Sequence, residues 1–214
     1  MPLHHVIHHG PDTQIYIWKI TEPEDELRDT VSLNPRNQAR IAGMKSQPHR
    51  RGFLSVRRLL QHVGYTDFDL HYDPSGKPHL ADGRHISITH SHEFAAIALS
   101  GSNIGIDLEM CRDKAAVIAH RFLHETEIRM LDPDDPQYIP RITVLWGIKE
   151  VIFKIRNEPG ISFKDHVRAE PFEMTDGQTT AYLEMDGLHG VFRIFFESVD
   201  HYILVYALDA NPDP

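Results

Sequence analysis

Two carboxylates set two residues apart in an otherwise apolar run, Gly105-Ile106-Asp107-Leu108-Glu109, constrain this chain more than any other feature. The run has strand composition, and alternation places Ile106 and Leu108 on one face and both acids on the other. Charge in such a strand is costly unless it meets solvent, a counter-charge or a metal. The apolar pair is therefore expected in the core, with the carboxylates on the opposite face. A bare Asp-x-Glu pair fits a half-exposed edge strand with two solvated acids; as ligands, such oxygens suit Mg2+ or Mn2+ better than zinc. A second stretch, Trp146-Gly147-Ile148-Lys149-Glu150 continuing to Lys154, lies in a segment from 139 to 155 whose periodicity predicts a helix. Glu150 and Lys154 are one turn apart there, with Trp146 on the same side, while Lys149 is turned about 100° away. Alone, such a pair is surface decoration worth about 0.2–0.5 kcal/mol.

The rest of the chain supplies a frame for these two stretches. Strand composition marks 15–20, and a helix start follows with Thr21 or Glu22 near its cap. Helices are predicted over 34–42 and 48–63, the second with Arg50, Arg51, Arg57 and Arg58 facing partly outward. Strands are expected at 68–72, 85–89, 94–99 and 103–108, with turns at 90–93 and 100–102. Helical pattern returns from Asp113 and again from Glu125. Beyond Pro159-Gly160 the chain reads as strands at 166–168, 179–185, 191–197 and 202–208. This order predicts an α+β protein of two similar halves, 1–103 and 104–214.

Composition narrows the function classes. A net charge of −9 argues against indiscriminate nucleic-acid binding. A single cysteine, Cys111, excludes an intrachain disulfide and reads as a packed, inert thiol in a reducing compartment. No apolar run approaches the roughly 20 residues of a membrane helix, and Met1-Pro2-Leu3-His4-His5 lacks a signal-peptide layout, so a cytoplasmic location is expected. The histidines at 4, 5, 8 and 9 read as a frayed end. Residues 31–66 hold no acid but carry Arg36, Arg40, Lys45, Arg50, Arg51, Arg57 and Arg58, either a solvated face or a site for a specific anion. His85, His90 and His92 match no closed zinc site; Thr89, His90 and Ser91 suit hydrogen bonding to an anion or nucleotide.

Taken in order, Ser75-Gly76-Lys77-Pro78, Ile86-Ser87-Ile88-Thr89-His90-Ser91, Gly105-Ile106-Asp107-Leu108-Glu109, Arg121-Phe122-Leu123 with Glu127, and Trp146-Gly147-Ile148-Lys149-Glu150 with Lys154 resemble the 4′-phosphopantetheinyl transferases. The likeness is to the long monomeric type, a pseudo-dimer of two α+β subdomains, and runs from about residue 36 to 163. Gly147 stands where that family usually has a small hydroxyl residue, alanine or cysteine, and Thr89 replaces its usual serine. The resemblance implies transfer of the phosphopantetheine arm of coenzyme A to a serine of an acyl or peptidyl carrier protein, with Mg2+ held by Asp107, Glu109 and Glu150. It implies Glu150 as general base and Lys154 as the group meeting the departing 3′,5′-ADP, with Lys149 on phosphate. It also implies Lys77, Thr89 and His90, with Arg51, Arg40 and Arg36, at the nucleotide end of coenzyme A, and a site between the halves. A non-catalytic carrier-protein or coenzyme A binding module is the alternative; a nucleotide phosphotransferase of another kind has no P-loop to support it.

Overall fold

The periodicities resolve, in the computed structural model, into two units, Met1–Gly101 and Ser102–Pro214, of which residues 3–209 are described. In the first, β1 (Leu3–His9) and β2 (Thr13–Lys19) form a hairpin, followed by helices α1 (Glu24–Thr30), α2 (Pro35–Gly43) and α3 (Gln47–His62). A small hairpin, β3 (Leu70–Tyr72) and β4 (Pro78–Leu80), precedes β5 (His85–Ser91) and β6 (Phe94–Ser100). The main sheet is antiparallel in the order β1-β2-β6-β5. Phe53, Leu54, Val56, Leu59 and Leu60 of α3 pack with Trp18, Ile86, Ala95, Ile97 and Leu99 into this unit's core.

Several expectations change here. The N-terminal histidines belong to an edge strand registered on β2 rather than to a frayed end, because Val6 and Ile7 alternate into a ladder with Tyr16 and Ile15. Pro23, not Thr21 or Glu22, precedes α1. Arg57 does not face outward: it is buried, stacks 3.6 Å from the Phe53 ring centroid and pairs with buried Asp67 at 3.0 Å. His90 and Ser91 continue β5, and the turn narrows to residues 92–93, with His92 at φ 48°.

The second unit runs β7 (Ile104–Met110), α4 (Lys114–Ile118), α5 (Glu125–Arg129), α6 (Tyr138–Arg156), α7 (Phe163–His166), β8 (Val167–Ala169), β9 (Gln178–Met185), β10 (Leu188–Val199) and β11 (Tyr202–Leu208), with two short 3-10 turns between. The strands form an antiparallel sheet in the order β7-β11-β10-β9-β8. α6 is apolar on more than one side, burying Ile142, Val144, Leu145, Ile148, Val151, Ile152 and Ile155, as a helix enclosed by its surroundings must. Trp146 packs edge-on to Phe122 and Phe163, at 4.9 and 5.7 Å between ring centroids. Asp186-Gly187 makes the expected turn between β9 and β10, with Gly187 at φ 77°. Each unit is α+β in its own right.

Candidate active site

Strand register decides which face the acids take. Gly105, Asp107 and Glu109 lie opposite Ala207, Val205 and Ile203 of β11, and directly opposed residues share a face. Those three β11 residues belong to the core that includes α6. The acids therefore face the helix, which corrects the expectation that they turn away from the core. Ile106 and Leu108 take the other face and are also buried, so both faces of β7 are covered.

Two glycines let α6 come close. A Cβ on Gly105 would stand 2.3 Å from the Val151 carbonyl oxygen, and one on Gly147 would stand 2.5 Å from Val205 Cγ2. Gly147 is thus matched to the branched Val205 opposite it. Gly147→Ala is expected to lose about 1–3 kcal/mol in chemical denaturation, as overpacking does, and Val205→Ala in the same chain to recover most of it. An unaffected single variant would disprove the match.

This packing seats Lys154 on the acidic strand. Its Nζ donates to the Ile106 carbonyl oxygen at 2.8 Å and to Asp107 Oδ1 at 2.9 Å. Asp107 is buried, while Glu109 and Glu150 are half-buried. Burial pushes the Glu150 carboxyl above its ordinary range and the Asp107 charge pushes it further, against the pull of Lys154. Among the described residues no three His, Cys, Asp or Glu side chains are gathered in metal-ligating geometry. The donor set of Asp107, Glu109 and Glu150 is nevertheless all carboxylate oxygen, and two of its members crowd each other's charge; a hard divalent cation fits that chemistry. Past Lys154, Asn157 takes the left-handed position at φ 53° and its N–H closes α6 onto Phe153 O, so the helix ends cleanly without a glycine at that position.

Lys149 is elsewhere. Its side chain is fully buried, and Nζ donates to both Glu127 carboxylate oxygens at 2.7 Å and to the Val167 carbonyl. It is not brought to the acidic strand: all three of its protons are engaged inside the unit. Its partner Glu127 was quoted in the motif without a role. The signal for it was its position at N3 of α5, where its carboxylate accepts from the His124 N–H as half of a capping box.

In the first unit the nucleotide-end candidates divide. Gly52 lets the His90 ring approach α3, since a Cβ there would stand 2.7 Å from Nδ1. Beside it, the Arg51 guanidinium donates to Glu22 O and Ile20 O, both at 3.0 Å. Arg40, exposed on α2, lies over the Phe53 and Tyr72 rings at 5.4 and 5.8 Å from their centroids. Tyr72 opposes Pro78, the neighbour of Lys77. Lys77 is itself half-buried, and its charge adds to the effect of burial in lowering His85. Arg51 itself, Gly52 under His90 and Phe53 under Arg40 are successive positions of α3, about 100° apart around its axis. Thr89 is buried and alternates to the opposite face of β5 from His90, so the structure does not group it with that ring. Arg36 is exposed one turn before Arg40. Sequence reasoning missed Asp67, which accepts from Arg57, Asn37 and the Asn34 N–H and so ties the start of α2 to α3.

Residues 103–207, which contain the acidic strand and all of α6, match the model of the family described as the 4′-phosphopantetheinyl transferase superfamily. That segment, just under half of the chain, is similar to the superfamily. The 4′-phosphopantetheinyl transferase Sfp of Bacillus subtilis (strain 168) is 27% identical over 141 residues, 62% of this chain and 63% of its own length. The 4′-phosphopantetheinyl transferase gsp of Aneurinibacillus migulanus is 34% identical over 80 residues, 37% of this chain and 34% of its own length. The chain thus spans less than two thirds of either relative. The holo-[acyl-carrier-protein] synthase of Thermotoga maritima overlays 52% of this chain and 64% of its own at 19% identity and a TM-score of 0.36, too loosely to add to the fold described above. Asp107, Glu109, Glu127, Lys149, Glu150 and Lys154 all lie inside the segment similar to the superfamily.

Proposed function

We propose that this protein transfers the 4′-phosphopantetheine arm of coenzyme A to a serine of an acyl or peptidyl carrier protein. The observation that carries the reading is Lys154 seated on Asp107 beside a Glu150 disfavoured as an anion, inside a segment similar to the transferase superfamily. Glu150 would take the proton from the serine Oγ as that oxygen attacks the β-phosphorus of coenzyme A. The bond from the β-phosphorus to the bridging oxygen then breaks, and 3′,5′-ADP departs with the electron pair. Lys154 would donate to the oxygen on which that charge grows. Asp107, Glu109 and Glu150 would hold Mg2+, which when bound neutralises charge on the pyrophosphate and makes the phosphorus more electrophilic. Arg51, His90, Arg40 and Lys77 are assigned to the phosphate and nucleotide end of coenzyme A, with Arg36 and Thr89 as outlying members. Arginine at a phosphate offers a planar, bidentate fork there.

The acidic net charge weighs against nucleic acid as a partner, and the single cysteine suits a reducing, cytoplasmic compartment. A monomer follows from the resemblance to the long monomeric type alone. No described helix is long and apolar enough to cross a membrane. Incubation with an apo carrier protein, coenzyme A and Mg2+ is expected to add the phosphopantetheine mass to the carrier. Absence of any mass shift across a panel of carriers, with a known transferase working in parallel, would overturn the reading in favour of a binding module.

A further inference from the structure

The second unit holds an ion pair that the proposed chemistry does not use. Glu127 and Lys149 are both fully buried. Lys149 directs its three protons to Glu127 Oε1, Glu127 Oε2 and the Val167 carbonyl. Glu127 accepts two further bonds, from the Ala169 N–H at 3.0 Å and the His124 N–H at 2.9 Å. One carboxylate thus joins the start of α5, the middle of α6 and strand β8. A pair so closed is costly to break on one side, because the group left behind stays buried and charged.

Lys149 directly precedes Glu150 on α6. Successive helix residues differ by about 100°, so the direction of one side chain sets the roll that aims the next. Gly105 and Gly147 govern how near α6 lies to β7 and β11, and its buried apolar side chains fix which way it broadly faces. Apolar contacts still tolerate a small rotation that a charged pair with directed hydrogen bonds does not. We infer that the Glu127–Lys149 pair sets this roll: with Lys149 drawn toward α5 and β8, Glu150 is aimed at Asp107 and Lys154 reaches it one turn later. Glu127 and Lys149 are positioning residues, and the phosphates of the substrate are bound without Lys149. This assignment rests on the proposed transfer for its kinetic consequence alone.

Amine acylation mapped by mass spectrometry tests the burial without turnover. Lys149 of the folded wild-type protein is expected to stay unmodified with and without coenzyme A, under conditions that modify surface lysines. Labelling of Lys149 that coenzyme A then blocks would make it a phosphate ligand and overturn the inference. This arm stands even where no carrier is modified, so failure of the transfer reading is seen separately. The kinetic arm uses Glu127→Asp, which keeps the charge and shortens the arm by one methylene, together with the double variant Glu127→Gln/Lys149→Met. Loss of roll control is expected to lower kcat at least tenfold in both while KM for coenzyme A stays within threefold. A tenfold rise in KM would assign Lys149 to substrate. Wild-type kcat in a folded Glu127→Asp protein would show that the pair supports the fold without aiming Glu150. Failure of the double variant to fold leaves the labelling and the Glu127→Asp measurement to decide.

Discussion

Glu150→Gln is expected to abolish transfer while making the protein more stable at neutral pH. Burial and the neighbouring Asp107 raise the Glu150 carboxyl in the folded state, with Lys154 opposing them. The folded chain then binds this proton more tightly than the unfolded chain, and stability falls as pH rises between the unfolded and folded values. Below the unfolded value both states are protonated and nothing is lost; above the folded value the whole cost is present. A neutral glutamine removes that cost, so its melting temperature should exceed that of the wild type at neutral pH by a few degrees and match it in acid. The same substitution deletes the proposed base, which is worth about 100- to 10,000-fold in kcat. These melts are made without added Mg2+, because a bound cation would itself pull the Glu150 carboxyl down. In Lys154→Gln the pH window of this stability loss should move higher still, because the opposing charge is gone. A Glu150→Gln protein with undiminished transfer would take Glu150 out of the base role.

Gly105→Ala is expected to be the most disruptive single-methyl change in the second unit. The added Cβ would meet the Val151 carbonyl oxygen at 2.3 Å, and a helix carbonyl cannot rotate aside as a side chain can. Either α6 withdraws from β7 or the strand buckles. Withdrawal takes Lys154 off Asp107, so a loss of about 3 kcal/mol or more should come with a fall in transfer of about 100-fold. Gly43→Ala is the matched control: it closes α2, has nothing within 4 Å of the added Cβ, and should hold or gain stability. Chemical denaturation of the two variants side by side decides the point. Equal stabilities would mean that β7 and α6 do not depend on the glycine contact.

How far the sequence reached is clearest at particular residues. Strong periodicity placed α3, α6, β6 and β11 within a residue or two, because buried apolar stripes leave little choice of face. Asp107, Glu109, Glu150 and Lys154 could be read together only through their order along the chain; each pair alone resembles an exposed surface. The failures lie where a distant partner overrides local character. Arg57 and Lys149 carry charge, and charge predicts exposure, yet Asp67 and Glu127 draw them inside from 10 and 22 residues away. His90 lies in a strand because β6 pairs with it, which a polar local run does not reveal. The close approaches at Gly52, Gly105 and Gly147 were invisible for the same reason: a glycine announces room for something without saying what fills it.

The two bonds from Lys154 Nζ, to Ile106 O and Asp107 Oδ1, have a consequence for how such a protein is made. An acidic strand that holds a divalent ion, as proposed for this one, would ordinarily be hard to close without it, and its synthesis would then depend on metal supply. Here the chain brings its own counter-ion, covalently tethered two turns past Gly147. The second unit can mature on its internal charge balance, leaving any metal ion to arrive later as a working part. On the proposed reading, folding and metal loading become separate events.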